Sequence, residues 1–135
     1  MTSQYAALAR SWFEDMWNRR HPVIIDQFLD PDCVGHHEGG RDTRGPGEFK
    51  AMRLELLEAL PDLHFTVEDV IAEGEQAVVR WVAQGTHMGA LFGVPPSERA
   101  AHVRGMTWFR FRNGRIVEGW DNWNVGGLLE TLRAS

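Results

Sequence analysis

The side chains of this 135-residue chain that could move a proton or hold a developing charge sit in a few short stretches. His36 and His37 stand side by side ahead of a polar, glycine-rich run from Glu38 to Gly45. A neutral imidazole is a competent base near neutral pH, but adjacent residues of an extended segment point apart, so only one of the two can face a given cavity. Glu118, Asp121 and Asn124 are strung along one aromatic segment with Trp120 and Trp123. Alternation puts Glu118, Trp120 and Asn124 on one side of a strand and Asp121 on the other. The first side carries polar groups beside a large indole, a mixture that suits the wall of a ligand cavity. Asn124 has no proton to exchange near neutral pH, so its use there is as a hydrogen-bond donor to an oxyanion. Glu118 beside an indole could have a raised pKa. It lies about 20 Å along the strand from Asn124, and pairing with Arg110 or Arg104 across a hairpin is expected of it. Asp121, on the other face, is expected to be solvated or salt-bridged.

Other candidates are more scattered. Arg80 lies mid-strand between Val79 and Trp81, where it needs either a carboxylate partner or an anionic ligand, since an unpaired buried charge is costly. His87 ends Gly85-Thr86-His87 beside an apolar loop, and either bonds loop backbone or touches a ligand. Thr107 shares a side with Gly105 and Phe109, and a small residue beside a glycine leaves room for a ligand. No His-Glu-x-x-His or paired-cysteine spacing is present, so no metal site is expected. Cys33 and the serines lie in no nucleophile elbow.

These residues must be held by a recognisable order of elements. Asn113-Gly114, both tolerant of positive φ, should turn a long antiparallel hairpin whose arms are rich in aromatic and β-branched residues. Before it, His64 to Ala72 and Gln76 to His87 read as strands joined at Glu73-Gly74-Glu75, and Met88 to Pro96 as an apolar loop that either sits over a pocket or against a partner chain or is a buried connection. Thr2 or Ser3 should cap a first helix whose apolar stripe runs from Tyr5 to Trp17. Pro22 opens a short second helix through Leu29, ended by Asp30-Pro31-Asp32, and Cys33 to His37 forms a short extended piece. Pro46 opens a third helix that Pro61 stops, and a short helix follows Gly126-Gly127. The pattern is one α+β domain over residues 1–135, helices against one face of a curved antiparallel sheet.

The 14 Lys+Arg against 19 Asp+Glu give a formal charge of -5, and no basic block is dense enough to follow a phosphate backbone, which argues against nucleic acid. A single cysteine excludes an intramolecular disulfide. No secretory pattern and no apolar run of about 20 residues appears, so a soluble cytoplasmic protein without membrane association is expected. Six tryptophans fit either a core and dimer interface built from large rings or a pocket for a flat, apolar ligand.

The order of elements, with Pro61-Asp62-Leu63, Val79-Arg80-Trp81, Gly85-Thr86-His87, Gly93-Val94-Pro95-Pro96, the run Arg110 to Ile116 and Glu118-Gly119-Trp120, resembles the SnoaL-like polyketide cyclases (ester cyclases) of the NTF2-like superfamily over essentially the whole chain. The resemblance implies a cone in which a curved sheet and N-terminal helices enclose a deep pocket, assembled as a homodimer or higher homo-oligomer. It implies ring closure by intramolecular aldol condensation of a hydrophobic, carbonyl-bearing small molecule, with no cofactor. It also implies a general acid/base four residues after Trp120, where this chain has Asn124, and a polar residue after the second helix that enters the pocket, where it has His36. His36 is then the candidate base, Asn124 the oxyanion donor, and Trp17, Arg80, His87, Thr107 and Trp120 the substrate-binding residues. Two rivals follow from the amide at Asn124: a cofactor-free hydroxylase of the same family, and a non-catalytic ligand-binding protein.

Overall fold

The computed structural model describes residues 4–133; Thr2 and Ser3, the expected first cap, lie outside them. Helix α1 (Gln4–Ser11) runs on into a π-helical segment (Trp12–Asn18). Its wider turn lets Trp12, Phe13, Met16 and Trp17 all be buried. Asn18 fastens the end of that segment to the sheet, its amide exchanging hydrogen bonds of 2.7 and 2.8 Å with the backbone of Phe65. Helix α2 (Val23–Phe28) follows Pro22, and α3 (Gly45–Ala59) has Pro46 in its first turn. The Glu48 carboxylate reaches back to accept the Arg44 N–H at 2.9 Å, which satisfies a donor the helix cannot.

Six strands form one sheet in the order β2-β1-β6-β5-β4-β3: β1 Leu29–His36, β2 Thr43–Arg44, β3 His64–Glu73, β4 Gln76–Thr86, β5 Ala100–Arg112 and β6 Arg115–Trp123. The anticipated hairpins are present. Asn113 and Gly114 have φ of 53° and 79° and close β5 onto β6 with a two-residue turn. The sheet is not wholly antiparallel, because β1 runs parallel to β6. Asp30-Pro31-Asp32 does not stop the chain but passes through β1 where its register against β6 is broken, between Leu29 and Val34. A proline costs no ladder bond at such a place.

Ala77, Val79, Trp81 and Ala83 of β4 face the helices, opposite Phe109, Thr107, Gly105 and Val103 of β5. Two irregularities bend the sheet around this face: Glu68 is the extra residue of β3 against β4, and Val117 that of β6 against β5. Helix α4 (Val125–Arg133) closes the end of the sheet through Leu128 and Leu132. No described helix is long and apolar enough to cross a membrane.

Candidate active site

Between α3, the π-helical segment and the concave face of the sheet lies a cavity of about 870 Å³, within the range of small-molecule sites. Aromatic rings dominate its wall, among them Trp12, Trp17, Phe49, Phe65, Trp81 and Trp123. Ala90, Leu91 and Phe92 of the apolar loop cover part of it, and Leu91 and Val94 are buried, so the loop both covers the pocket and is in part a buried connection.

The polar groups around Asp121 form one connected set built from four strands and a loop, while Glu38, Arg41, Asp42, Glu48, Glu55 and Gln84 line the cavity elsewhere. Thr107 and Asp121 are directly opposed on β5 and β6. The Trp81 indole N–H donates to Thr107 Oγ1 at 2.9 Å. Thr107 in turn donates its hydroxyl hydrogen to Asp121 Oδ1 at 2.6 Å. The other carboxylate oxygen, Oδ2, is 2.8 Å from His37 Nδ1, and since an ionised carboxylate only accepts, Nδ1 carries the hydrogen. In a neutral imidazole His37 Nε2 then accepts from Thr43 Oγ1 at 2.9 Å. Every hydrogen in the chain has one direction, and Asp121 keeps lone pairs for a ligand.

Two glycines make the geometry possible. A Cβ on Gly105 would stand 2.6 Å from the Trp81 ring, and one on Gly35 would stand 2.7 Å from His37 Nε2 and 2.8 Å from Thr43 Oγ1. The space beside Thr107 thus belongs to the Trp81 indole, and the space above Gly35 lets His37 fold back over β1 onto Asp121.

Of the residues singled out from sequence, Trp17 and Thr107 line the cavity; His36, Arg80, His87, Trp120 and Asn124 do not. Asn124 follows β6 and caps α4, accepting the Gly127 N–H at 2.9 Å, which corrects its expected place on the pocket wall. His36 lies on the outer face, stacked on Trp120 at 5.5 Å. Its Nε2 is 2.8 Å from Glu118 and its Nδ1 3.0 Å from Asp42. The bond to Glu118 foremost raises its pKa above the ordinary imidazole value. Glu118 is held below the usual carboxylate range by His36 first and by Arg110, at 2.9 Å, second; the pairing with Arg110 is as expected, the raised pKa is not. Arg80, half-exposed, faces Glu68 at 3.5 Å. His87 is fully buried against its own loop, with Nδ1 2.8 Å from Ser97 Oγ.

One residue explains the exchange of faces. A two-residue turn with an unbroken ladder pairs Thr107 with Trp120; the extra residue Val117 slips β6 by one and brings Asp121 opposite Thr107 instead. Sequence reading set Asp121 aside as solvated or salt-bridged, took His36 rather than His37 as the candidate base, and missed Thr43 and Trp81; the signal available was the glycine at Gly35, which has no packing reason until His37 is placed. Among the described residues no group of three or more His, Cys, Asp or Glu side chains is arranged to hold a metal ion.

Comparison with known proteins gives a consistent result. The family model described as SnoaL-like polyketide cyclase matches residues 7–132. A search of curated proteins found no relative. Among solved structures, IdmH from Streptomyces antibioticus, a candidate polyketide cyclase, is 27% identical with a TM-score of 0.82, the match covering 96% of this chain and 99% of that one. AclR from Streptomyces galilaeus, a candidate hydroxylase, is 28% identical with a TM-score of 0.80, over 93% of this chain and 78% of its own. A SnoaL-like polyketide cyclase candidate from Jannaschia sp. CCS1 superposes with a TM-score of 0.91 at 21% identity, over 100% of this chain and 98% of that one, and shows the shared fold.

Proposed function

The chain belongs to the SnoaL-like polyketide cyclase family, and from that premise we propose that it is a cofactor-independent enzyme whose Asp121 moves a proton alpha to the carbonyl of a hydrophobic, polyketide-like small molecule. The observation that carries this reading is a carboxylate on the wall of an aromatic cavity, oriented by Thr107 and His37. Asp121 takes the proton from the carbon next to the carbonyl and leaves an enolate. The enolate carbon then bonds to a second carbonyl carbon of the same molecule, and the alkoxide that results recovers the proton from Asp121. His37 and Thr107 each hold one carboxylate oxygen, which fixes the orientation of the base and aims its free lone pairs at the ligand.

Exchange of the alpha hydrogens of 2-tetralone, a flat hydrophobic ketone, followed by NMR in D2O, tests the first step without knowledge of the natural substrate. Asp121→Asn should slow the catalysed exchange about 10²- to 10⁴-fold, the usual worth of a positioned acid/base. Unchanged exchange would remove Asp121 from the role.

The likeness to AclR supports a second reading, a cofactor-free hydroxylation that begins with the same proton removal. Turnover that consumes oxygen in proportion to product separates it from ring closure. The binding-protein reading drew its support from an amide in place of the acid, and a carboxylate on the cavity wall takes that support away. Association of two copies through the outer face of the sheet is supported by Met106 and Trp108, each about half-exposed at 51% and 48%; analytical ultracentrifugation of Trp108→Glu against the unmodified chain tests it, a shift toward monomer being expected.

A further inference from the structure

Among the described residues, Arg53 is the buried arginine or lysine that has no counter-charge. It lies on α3 and is 6% exposed. Its Nε has no hydrogen-bond partner, and none of the ion pairs of the described residues includes it. Burial foremost, and then the positive charge of Arg20, lower its pKa. Arg20 is itself bound to the carbonyl oxygens of Trp17, Pro61 and Leu63 and offers Arg53 no relief. A cation in this position is a cost to the fold unless something answers its charge.

What Arg53 faces is the Trp17 indole, with the guanidinium 6.0 Å from the ring centroid. Trp17 is part of the cavity wall and Arg53 is not. The side chains bonded around Asp121, meanwhile, supply a base but no spare hydrogen. The indole N–H of Trp81 is given to Thr107, and the hydrogens of Thr107 and His37 are given to Asp121. Arg41 and the carboxylates of Glu38, Asp42, Glu48 and Glu55 also line the cavity, all at exposed positions where water and salt screen them, and Asp121 adds negative charge at its own end. At the Trp17 wall the guanidinium behind the indole is the positive charge that acts across a medium of low dielectric constant.

We propose that Arg53, acting through the Trp17 indole, makes the cavity selective for flat aromatic ligands that carry an ionised oxygen or acquire one as an enolate during reaction. Arg53 is a positioning residue in this account, since it touches Trp17 and not the ligand. The enolate half of the statement rests on the proposed role of Asp121; the preference for a ligand that is already an anion does not.

The test is binding of 2-naphthoate and 2-naphthamide, two probes of the same shape that differ by one charge, read by quenching of tryptophan fluorescence. Asp121, ionised on the same cavity wall, disfavours the naphthoate, so the quantity read is the change in the naphthoate-to-naphthamide affinity ratio when the Arg53 charge is removed. Arg53→Met should lower that ratio about tenfold, the factor a unit charge about 10 Å away supplies at an effective dielectric constant of about 20, and Arg53→Lys should restore most of it. A residue that only shapes the wall would weaken both probes alike in Arg53→Met and leave their ratio standing, which overturns the proposal. Should Arg53→Met not fold, Arg53→Gln, of similar length and uncharged, takes its place with the same expected fall in the ratio. Asp121→Asn should lose alpha-hydrogen exchange while Arg53→Met still lowers the naphthoate-to-naphthamide ratio in that background, so the failure of either reading is distinguishable from failure of the other.

Discussion

Two histidine–carboxylate pairs stand on opposite faces of the same sheet. His37 meets Asp121 at 2.8 Å on the concave face, and His36, one residue earlier, meets Glu118 at 2.8 Å on the outer face. The contacts are the same; the company differs. On the outer side Arg110 holds the second oxygen of Glu118 and Asp42 holds the second nitrogen of His36. There the imidazole is drawn toward its charged form and the carboxylate is satisfied by cations. On the inner side hydroxyl groups complete the set, the His37 side chain is 12% exposed and no arginine or lysine joins it. A carboxylate held by neutral donors in an aromatic cavity keeps lone pairs free for a ligand, whereas one shared between two cations has given them up. A histidine beside a carboxylate is therefore no indicator of chemistry until its face and its further partners are known.

The largest effect that separates the two pairs should come from the histidines. His37→Gln removes a charge-assisted hydrogen bond to Asp121, worth about 1.5–3 kcal/mol, and should slow exchange of 2-tetralone about 10- to 100-fold; His36→Gln should leave the rate within about twofold, since it is off the cavity. Next in size is Gly35→Ala. The new methyl collides with His37 Nε2 and Thr43 Oγ1, so it should lower the rate about tenfold and cost about 1–3 kcal/mol of stability as an overpacked site, read by urea denaturation. A Gly35→Ala enzyme as active as the unmodified one would show that His37 need not lie over β1. Thr107→Val keeps the shape but strands the buried Trp81 N–H and one Asp121 oxygen, and should cost about 1–3 kcal/mol.

The smallest effect belongs to the outer pair and depends on pH. The pKa of His36 is raised from 6.5, so its stabilising contribution is whole below that unfolded-state value and is lost as pH rises through the raised one. The pKa of Glu118 is lowered from 4.5, so its contribution is present above that value and fades as acid takes pH down through the lowered one. The cluster is strongest between these limits. Thermal melts should find His36→Gln destabilised at about pH 5.5 and nearly neutral at about pH 9, with a difference of no more than about 1 kcal/mol because the pair is partly exposed.

The elements of the fold were legible because their signals are local. Asn113-Gly114 and the Glu73–Gln76 turn set two hairpins, and the proline before α2 and that in the first turn of α3 mark where those helices begin. The strand β1 was less so, since a parallel partner far along the chain leaves no turn beside it. The site was the least legible part, and one inserted residue is the reason. Val117 has nothing in its type to mark a bulge, yet it decides whether Trp120 or Asp121 stands opposite Thr107. Period-two reasoning is sound on either side of such a point and fails across it. Asn124 misled for a related reason: it lies one residue beyond β6, where its side chain serves the next helix rather than the strand.

The most direct test sets the two carboxylates side by side. Exchange of the alpha hydrogens of 2-tetralone should fall by about 10² or more in Asp121→Asn and stay within about twofold of the unmodified rate in Glu118→Gln. Exchange that survives in Asp121→Asn, or is lost in Glu118→Gln, would contradict the assignment of the chemistry to the concave face.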